Sequence, residues 1–226
     1  MNLYHYTNLD SFLKIWRCKY LLFSTSHKRT NNDIFEKQKY ITITGDMLSV
    51  NNKHKKAFWT SIDYYKQISL TMDYRDCLGC LSPMMWGQYA DNGNGVCIEL
   101  DYDKLIHPKG TIWANRVIYK KLHPQVTIDA ETIIDSSLHD KFIIKNRNVI
   151  FFKKHKHWRN ENEFRLVSND CTYVDISNAI VAIYVNNFNS HTAYVVRKIV
   201  ADDHKVKYLK TIPIDGNMTL IPIPFK

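Results

Sequence analysis

Trp158-Arg159-Asn160-Glu161-Asn162-Glu163-Phe164-Arg165-Leu166-Val167 reads as a buried strand with two carboxylates at its mouth. In a strand, residues i and i+2 point to the same side. The spacing therefore places Glu161 and Glu163 on one face, with Phe164, Leu166 and Val167 anchoring the strand beyond them. Like charges side by side repel and seldom help folding, but they can serve chemistry at a cationic or electron-poor centre. A plainer arrangement fits the same residues. The acids of a surface strand end would meet the basic run 153–157, whereas in the first arrangement Trp158 would pack on Phe164 and Arg165 would pair with a nearby acid. Exposed ion pairs of that kind contribute little.

Working outward, Leu3–Tyr6 reads as a first strand. Thr7 is placed as the N-cap of a helix over 8–18, with Asp10 closing a capping box and Leu9, Phe12, Leu13 and Trp16 at helical spacing. Strands are expected at 20–24, 57–62, 67–72, 95–100, 111–119, 164–168, 180–185, 205–212 and 218–223. Ser82-Pro83 opens a short helix through Tyr89. Residues 25–56 are polar and read as a loop leading into a helix. The longest helical pattern runs from Ala130 to about His155, its basic end favoured by the helix dipole. A further helix is expected over 190–200. These elements predict an α+β fold in one domain, residues 1–226, without internal repeats or a Gly- or Pro-rich linker.

Composition bounds the function. Apolar residues make up 45% and charged residues 23%, which describes a globular chain. A net charge of +9 suits an anionic ligand, a dinucleotide or a nucleic acid, and equally a solvated basic surface. Five cysteines at irregular spacing do not read as a disulfide framework, and a lone Cys77-Leu78-Gly79-Cys80 lacks the second pair that structural zinc requires, so no metal is expected. The chain starts without a basic-then-apolar leader, and no apolar run reaches a membrane span, so a cytoplasmic protein without membrane contact is expected. P-loop, GxGxxG, HExxH and GxSxG signatures are absent.

Three other stretches carry candidate chemistry. In Tyr4-His5-Tyr6-Thr7, His5 and Thr7 share a strand face beside a helix N-terminus, where imidazole and hydroxyl can hold a ribose, or the stretch is a packed aromatic strand. Asn32-Asp33-Ile34-Phe35-Glu36 is polar and equally suits a turn. In Met85–Cys97, Trp86 and Tyr89 share a helix face that can sandwich a planar ring or pack into the core.

Together the four pieces resemble a bacterial family described only as a domain of unknown function. Its members open with L-Y-H-Y-T, carry N-D-P-F-E, continue with M-W-x-x-Y-A-D-x-x-x-G-x-C and close with W-x-x-E-x-E-[FY]-R-L. The matching stretches are Leu3–Thr7, Asn32–Glu36, Met85–Cys97 and Trp158–Leu166, with Ile34 standing where proline is usual. More distantly, the His-x-Thr opening resembles DarT-type DNA ADP-ribosyltransferases. The order of an early His, a central Tyr and a late Glu is similar to the ADP-ribosyltransferase superfamily. That resemblance implies a split β-sandwich of mixed and antiparallel sheets with flanking helices, and NAD as substrate. It implies cofactor contacts from His5, Thr7, Tyr4, Ser24, Asn32, Trp86 and Tyr89. Glu163 would be the catalytic acid, with Glu161 and His5 beside it. It also implies a nucleic-acid or protein acceptor, and a toxin or phage-defence effector with an antitoxin or defence-complex partner. An NAD glycohydrolase on the same site fits as well. Two other classes stay open: a non-catalytic nucleotide- or nucleic-acid-binding module, and a nuclease holding a divalent ion with Asp33, Glu36, Glu161 and Glu163.

Overall fold

A computed structural model describes residues 1–24, 40–74, 77–105, 111–122, 125–186, 190–200, 206–214 and 217–223. The fold is α+β. In chain order its elements are β1 (Asn2–Thr7), α1 (Leu9–Cys18), β2 (Tyr20–Leu22), β3 (Tyr40–Thr44), α2 (Asn52–Asp63), β4 (Lys66–Met72), α3 (Pro83–Tyr89), β5 (Val96–Asp101), β6 (Trp113–Arg116), β7 (Ile118–Lys120) and β8 (Gln125–Asp129). They continue with α4 (Ala130–Ile134), α5 (His139–Phe151), β9 (Lys153–His155), β10 (Glu163–Ser168), β11 (Tyr173–Asp175), β12 (Ile180–Asn186), α6 (Ser190–Ile199), β13 (Val206–Ile214) and β14 (Asn217–Ile223).

One mixed eight-stranded sheet organises the molecule, in the order β14-β13-β12-β5-β1-β4-β10-β6. Among the described residues, only β12 and β13, separated in sequence by α6, pair in parallel within it. Three two-stranded pairs flank the sheet: β2 with β11, β3 with β8, and β7 with β9. The hydrogen-bonded ladder thus runs across all eight strands, whereas a split sandwich would divide them.

The ladder is nevertheless thin at one join. β1 pairs with β5 along its whole length, from Asn2↔Asp101 to Thr7↔Val96. It pairs with β4 only at Leu3↔Met72 and Tyr4↔Thr71. Beyond Tyr4 the two strands part, and Ser24 takes the place of β1 by pairing with Gln67. Ser69, between the two paired positions, faces the gap.

The two sheet faces differ. Leu3, Ile98, Leu100, Ile68, Leu70 and Leu166 form the main core with Phe12 of α1 and Val196 of α6. Each such fully buried side chain contributes roughly 1.5–3 kcal/mol. The opposite face of β1 and β5 carries Tyr4, Tyr6 and Cys97, which pack against Met85 and Trp86 of α3. A third cluster gathers α2, α4 and α5 over β8 around Phe58, Ile128, Ile143 and Ile150.

Several expectations are corrected. Residues 57–62 form helix, not strand, because Asn51 closes a capping box with His54 and Phe58 and Ile62 bury one helical stripe. The N-cap of α1 is Asn8, whose side chain accepts from Ser11, and not Thr7. The long helix from Ala130 breaks at Asp135, whose side chain caps a 3-10 turn over Ser136–Leu138, and α5 ends at Phe151. The basic run then forms β9 and the start of a 3-10 turn rather than a helix terminus. β3, β8 and β11 are additional strands. Among the described residues, no helix is long and apolar enough to cross a membrane.

Candidate functional site

Glu163 begins β10, where its neighbours across the sheet are Thr71 and then Tyr4. Glu161 lies outside the strand. It ends a 3-10 turn over Lys156–Glu161, and Asn162 between the acids is left-handed, with φ 43° and ψ 54°. The shared face is therefore made by a turn and not by strand alternation. Asn162 is held there by its side-chain amide, which donates to the carbonyls of Met72 and Asp73 at 2.8 Å each.

Both acids are buried; Arg165 serves Glu163, and Lys154 is shared between the two. Arg165, two residues along the same strand face and 1% exposed, clamps Glu163 through Nε to Oε1 at 2.6 Å and through a terminal nitrogen to Oε2 at 2.8 Å. Its other terminal nitrogen donates to the Phe151 carbonyl at the end of α5. Lys154 reaches in from β9, with Nζ 2.6 Å from Glu161 Oε2 and 3.5 Å from Glu163 Oε2. Tyr89 of α3 donates its hydroxyl to Glu161 Oε1 at 2.5 Å. The Tyr119 hydroxyl accepts from the Glu163 backbone at 2.9 Å.

These surroundings push the acids apart. For Glu163, burial works upward, but the Arg165 and Lys154 charges and hydrogen bonds from Arg165 and Ser69 outweigh it and hold the carboxyl at about 2. For Glu161, burial dominates and Glu163 adds to it, so the carboxyl is raised despite Lys154 and Tyr89.

A cavity of about 290 Å³ opens beside this network, in the gap between β1 and β4. Its lining includes Tyr4, His5, Ser24, Ser69, Tyr89, Lys154, Glu161 and Glu163. Strand alternation puts His5 on the sheet face opposite Tyr4 and Glu163, at the gap, where its ring N–H donates to the Ser69 carbonyl. Burial lowers the imidazole to about 4, so His5 is neutral at pH 7.

The structure sorts the remaining sequence candidates. Tyr4 and Ser24 line the cavity. Thr7 is buried and outside the lining. Trp86 is also a core residue, packed edge-on against Tyr6 with its indole N–H donated to the Cys80 carbonyl at 2.8 Å, so Tyr89 alone of the aromatic pair reaches the cavity. Asn32, and the Asp33 and Glu36 of the nuclease alternative, lie outside the described residues. Trp158 packs on Lys154, and Phe164 packs on Tyr102.

Sequence reasoning missed Lys154, Ser69, Gln67 and Thr71. Lys154 carried a signal, because it stands in the basic run set against these acids, but the helical reading of that run turned it to solvent. A divalent ion between Glu161 and Glu163 would have to displace Lys154, and among the described residues no three His, Cys, Asp or Glu side chains form a metal-holding group.

Residues 85–166 match the family model for a protein of unknown function, DUF2971. The match spans α3 through most of β10, and so includes Tyr89, Lys154, Glu161, Glu163 and Arg165. His5 and the polar box at 32–36 fall outside it. No curated protein and no solved structure matches the chain.

Proposed function

We propose that the cavity binds the nicotinamide–ribose end of NAD and that the protein cleaves the bond between them, passing ADP-ribose to an acceptor or to water. One observation carries this reading: two buried carboxylates on one cavity wall have their proton affinities pushed in opposite directions, Glu161 upward and Glu163 downward. Such divergent pairs mark acid–base assignments.

The nicotinamide nitrogen leaves C1′ with the bonding electron pair, and positive charge builds on the ribose. A carboxylate fixed in a water-poor site stabilises that charge far better than one in water. Glu163 suits this role because Arg165 and Lys154 keep it ionised. Glu161 is the acid able to change charge. It takes the proton of the attacking hydroxyl or amine as the new bond to C1′ forms, with Tyr89 and Lys154 orienting it. A neutral His5 can hydrogen-bond the ribose without adding positive charge beside the developing cation. Tyr89 offers the ring for nicotinamide. The volume of about 290 Å³ lies at the lower limit of small-molecule sites, about 300 Å³, which fits the reacting end of a dinucleotide rather than all of it.

The test is nicotinamide release from NAD by purified protein, with and without a mixture of nucleic-acid and protein acceptors. Glu161→Gln and Glu163→Gln should each lower release at least 100-fold, since removing such charge stabilisation costs roughly 2.7–4 kcal/mol. No release above these variants overturns the reading and leaves a binding module.

A further inference from the structure

The ribbon made by β7 and β9 has two unlike faces. Its parallel register is Ile118↔Lys153, Tyr119↔Lys154 and Lys120↔His155. Tyr119 and Lys154 point inward, to the acids. Lys120 and His155, with Ile118 and Lys153, therefore occupy the outer face. The chain then runs directly into the turn ending at Glu161, whose Lys156, His157 and Arg159 are exposed. Lys121 extends the same surface, tied to it because its carbonyl lies 2.8 Å from His155 Nε2.

This surface is built from one charge. Neither 118–122 nor 152–160 contains an Asp or Glu. Among the described residues, none of Lys120, Lys121, Lys153, Lys156 and Arg159 forms an ion pair. Aromatic rings interleave with the cations: His157 lies 4.3 Å from His155 at 80°, and half-buried Trp158 follows. Cations that track a backbone beside rings that can stack on bases are what a single-stranded nucleic acid requires.

We infer that the outer face of the β7–β9 ribbon and the turn 156–160 bind single-stranded nucleic acid and lead it toward Glu161. Its role as ADP-ribose acceptor rests on the proposed NAD cleavage; the binding itself does not. The contact is chiefly to phosphate, so it is sensitive to salt and tolerant of sequence.

The test is fluorescence anisotropy of the full chain with a labelled mixed-sequence single strand, as DNA and as RNA, without NAD. Affinity should fall with salt at a log–log slope of about −3.5, from five cations at about 0.7 each. Lys156→Glu with Arg159→Glu should weaken binding at least tenfold. Lys55→Glu with Lys56→Glu on exposed α2, an equal change in net charge, should change it less than twofold. Lys156→Gln with Arg159→Gln guards against a folding defect and should cost at least threefold. Three outcomes overturn the inference: no binding at low salt, equal losses in the ribbon and α2 variants, or preference for anionic lipid vesicles over the oligonucleotide. Binding without NAD cleavage would overturn only the acceptor role.

Discussion

At the scale of single residues, Lys154 and His5 carry the clearest consequences. Lys154 is the cation shared by both acids, so Lys154→Met leaves two buried carboxylates facing each other. Breaking a buried ion pair by removing one partner costs roughly 3–5 kcal/mol. Urea unfolding at pH 7 should show a loss of that order, with part of it recovered as pH is lowered and Glu161, already raised by burial, takes up a proton. A loss that stays constant with pH would dissociate Lys154 from the acids. His5 acts with its own sign. Its folded value of about 4 lies below the ordinary imidazole value of 6.5, so its contribution is complete above pH 6.5 and is lost as pH falls toward 4. Between pH 7 and pH 4.5 the wild type should therefore lose on the order of 2 kcal/mol more than His5→Gln. Glu163, held at about 2, adds a second loss below about pH 4.5, which His5→Gln should retain. At this scale the sequence was informative about identities and less so about partners. The acids, His5 and Tyr89 stand out by residue type and spacing. That Arg165 would clamp Glu163 could be read only as a pairing with some nearby acid, because burial decides which ion pairs close.

Among elements, the deciding piece is the left-handed residue between the acids. Asn162 turns the chain from a 3-10 helix into β10, and its amide ties that turn to the end of β4. Asn162→Ala removes both hydrogen bonds and keeps a side chain that disfavours positive φ, so it should destabilise by about 2–3 kcal/mol. Asn162→Gly, which relieves the backbone term, should lose less. Thermal melts of the two variants check the order. Most elements of the central sheet were legible because apolar alternation marks β4 and β5 and short apolar runs mark β10 and β12. The errors fell where two periodicities compete. Phe58 and Ile62 suit a strand window or a helix stripe, and only the Asn51–His54 cap decides between them. Likewise the apolar repeat from Ala130 continues across Asp135, while the local hydrogen bonds of Asp135 stop the helix.

For the whole molecule, the sheet joins the start of the chain to its far end, with β1 at its centre and β12–β14 on one side. Removing β1 would divide the ladder, so the described elements should unfold together. Calorimetric and van't Hoff enthalpies should agree, and Trp fluorescence and far-UV circular dichroism should give one coincident transition. Two separate transitions would place a domain boundary at the thin β1–β4 join. That join was invisible in the sequence, because strand divergence depends on which neighbour pairs where, and Ser24 substituting for β1 at Gln67 is a long-range choice. Arg165 links this geometry to the helical layer, since one guanidinium holds both Glu163 and the Phe151 carbonyl at the end of α5. The state of the cavity is therefore written into a helix that does not line it. An occupant that draws on Glu163 must alter the hold on that helix terminus, and hydrogen–deuterium exchange at the last amides of α5 becomes a remote gauge of occupancy, readable before any product forms.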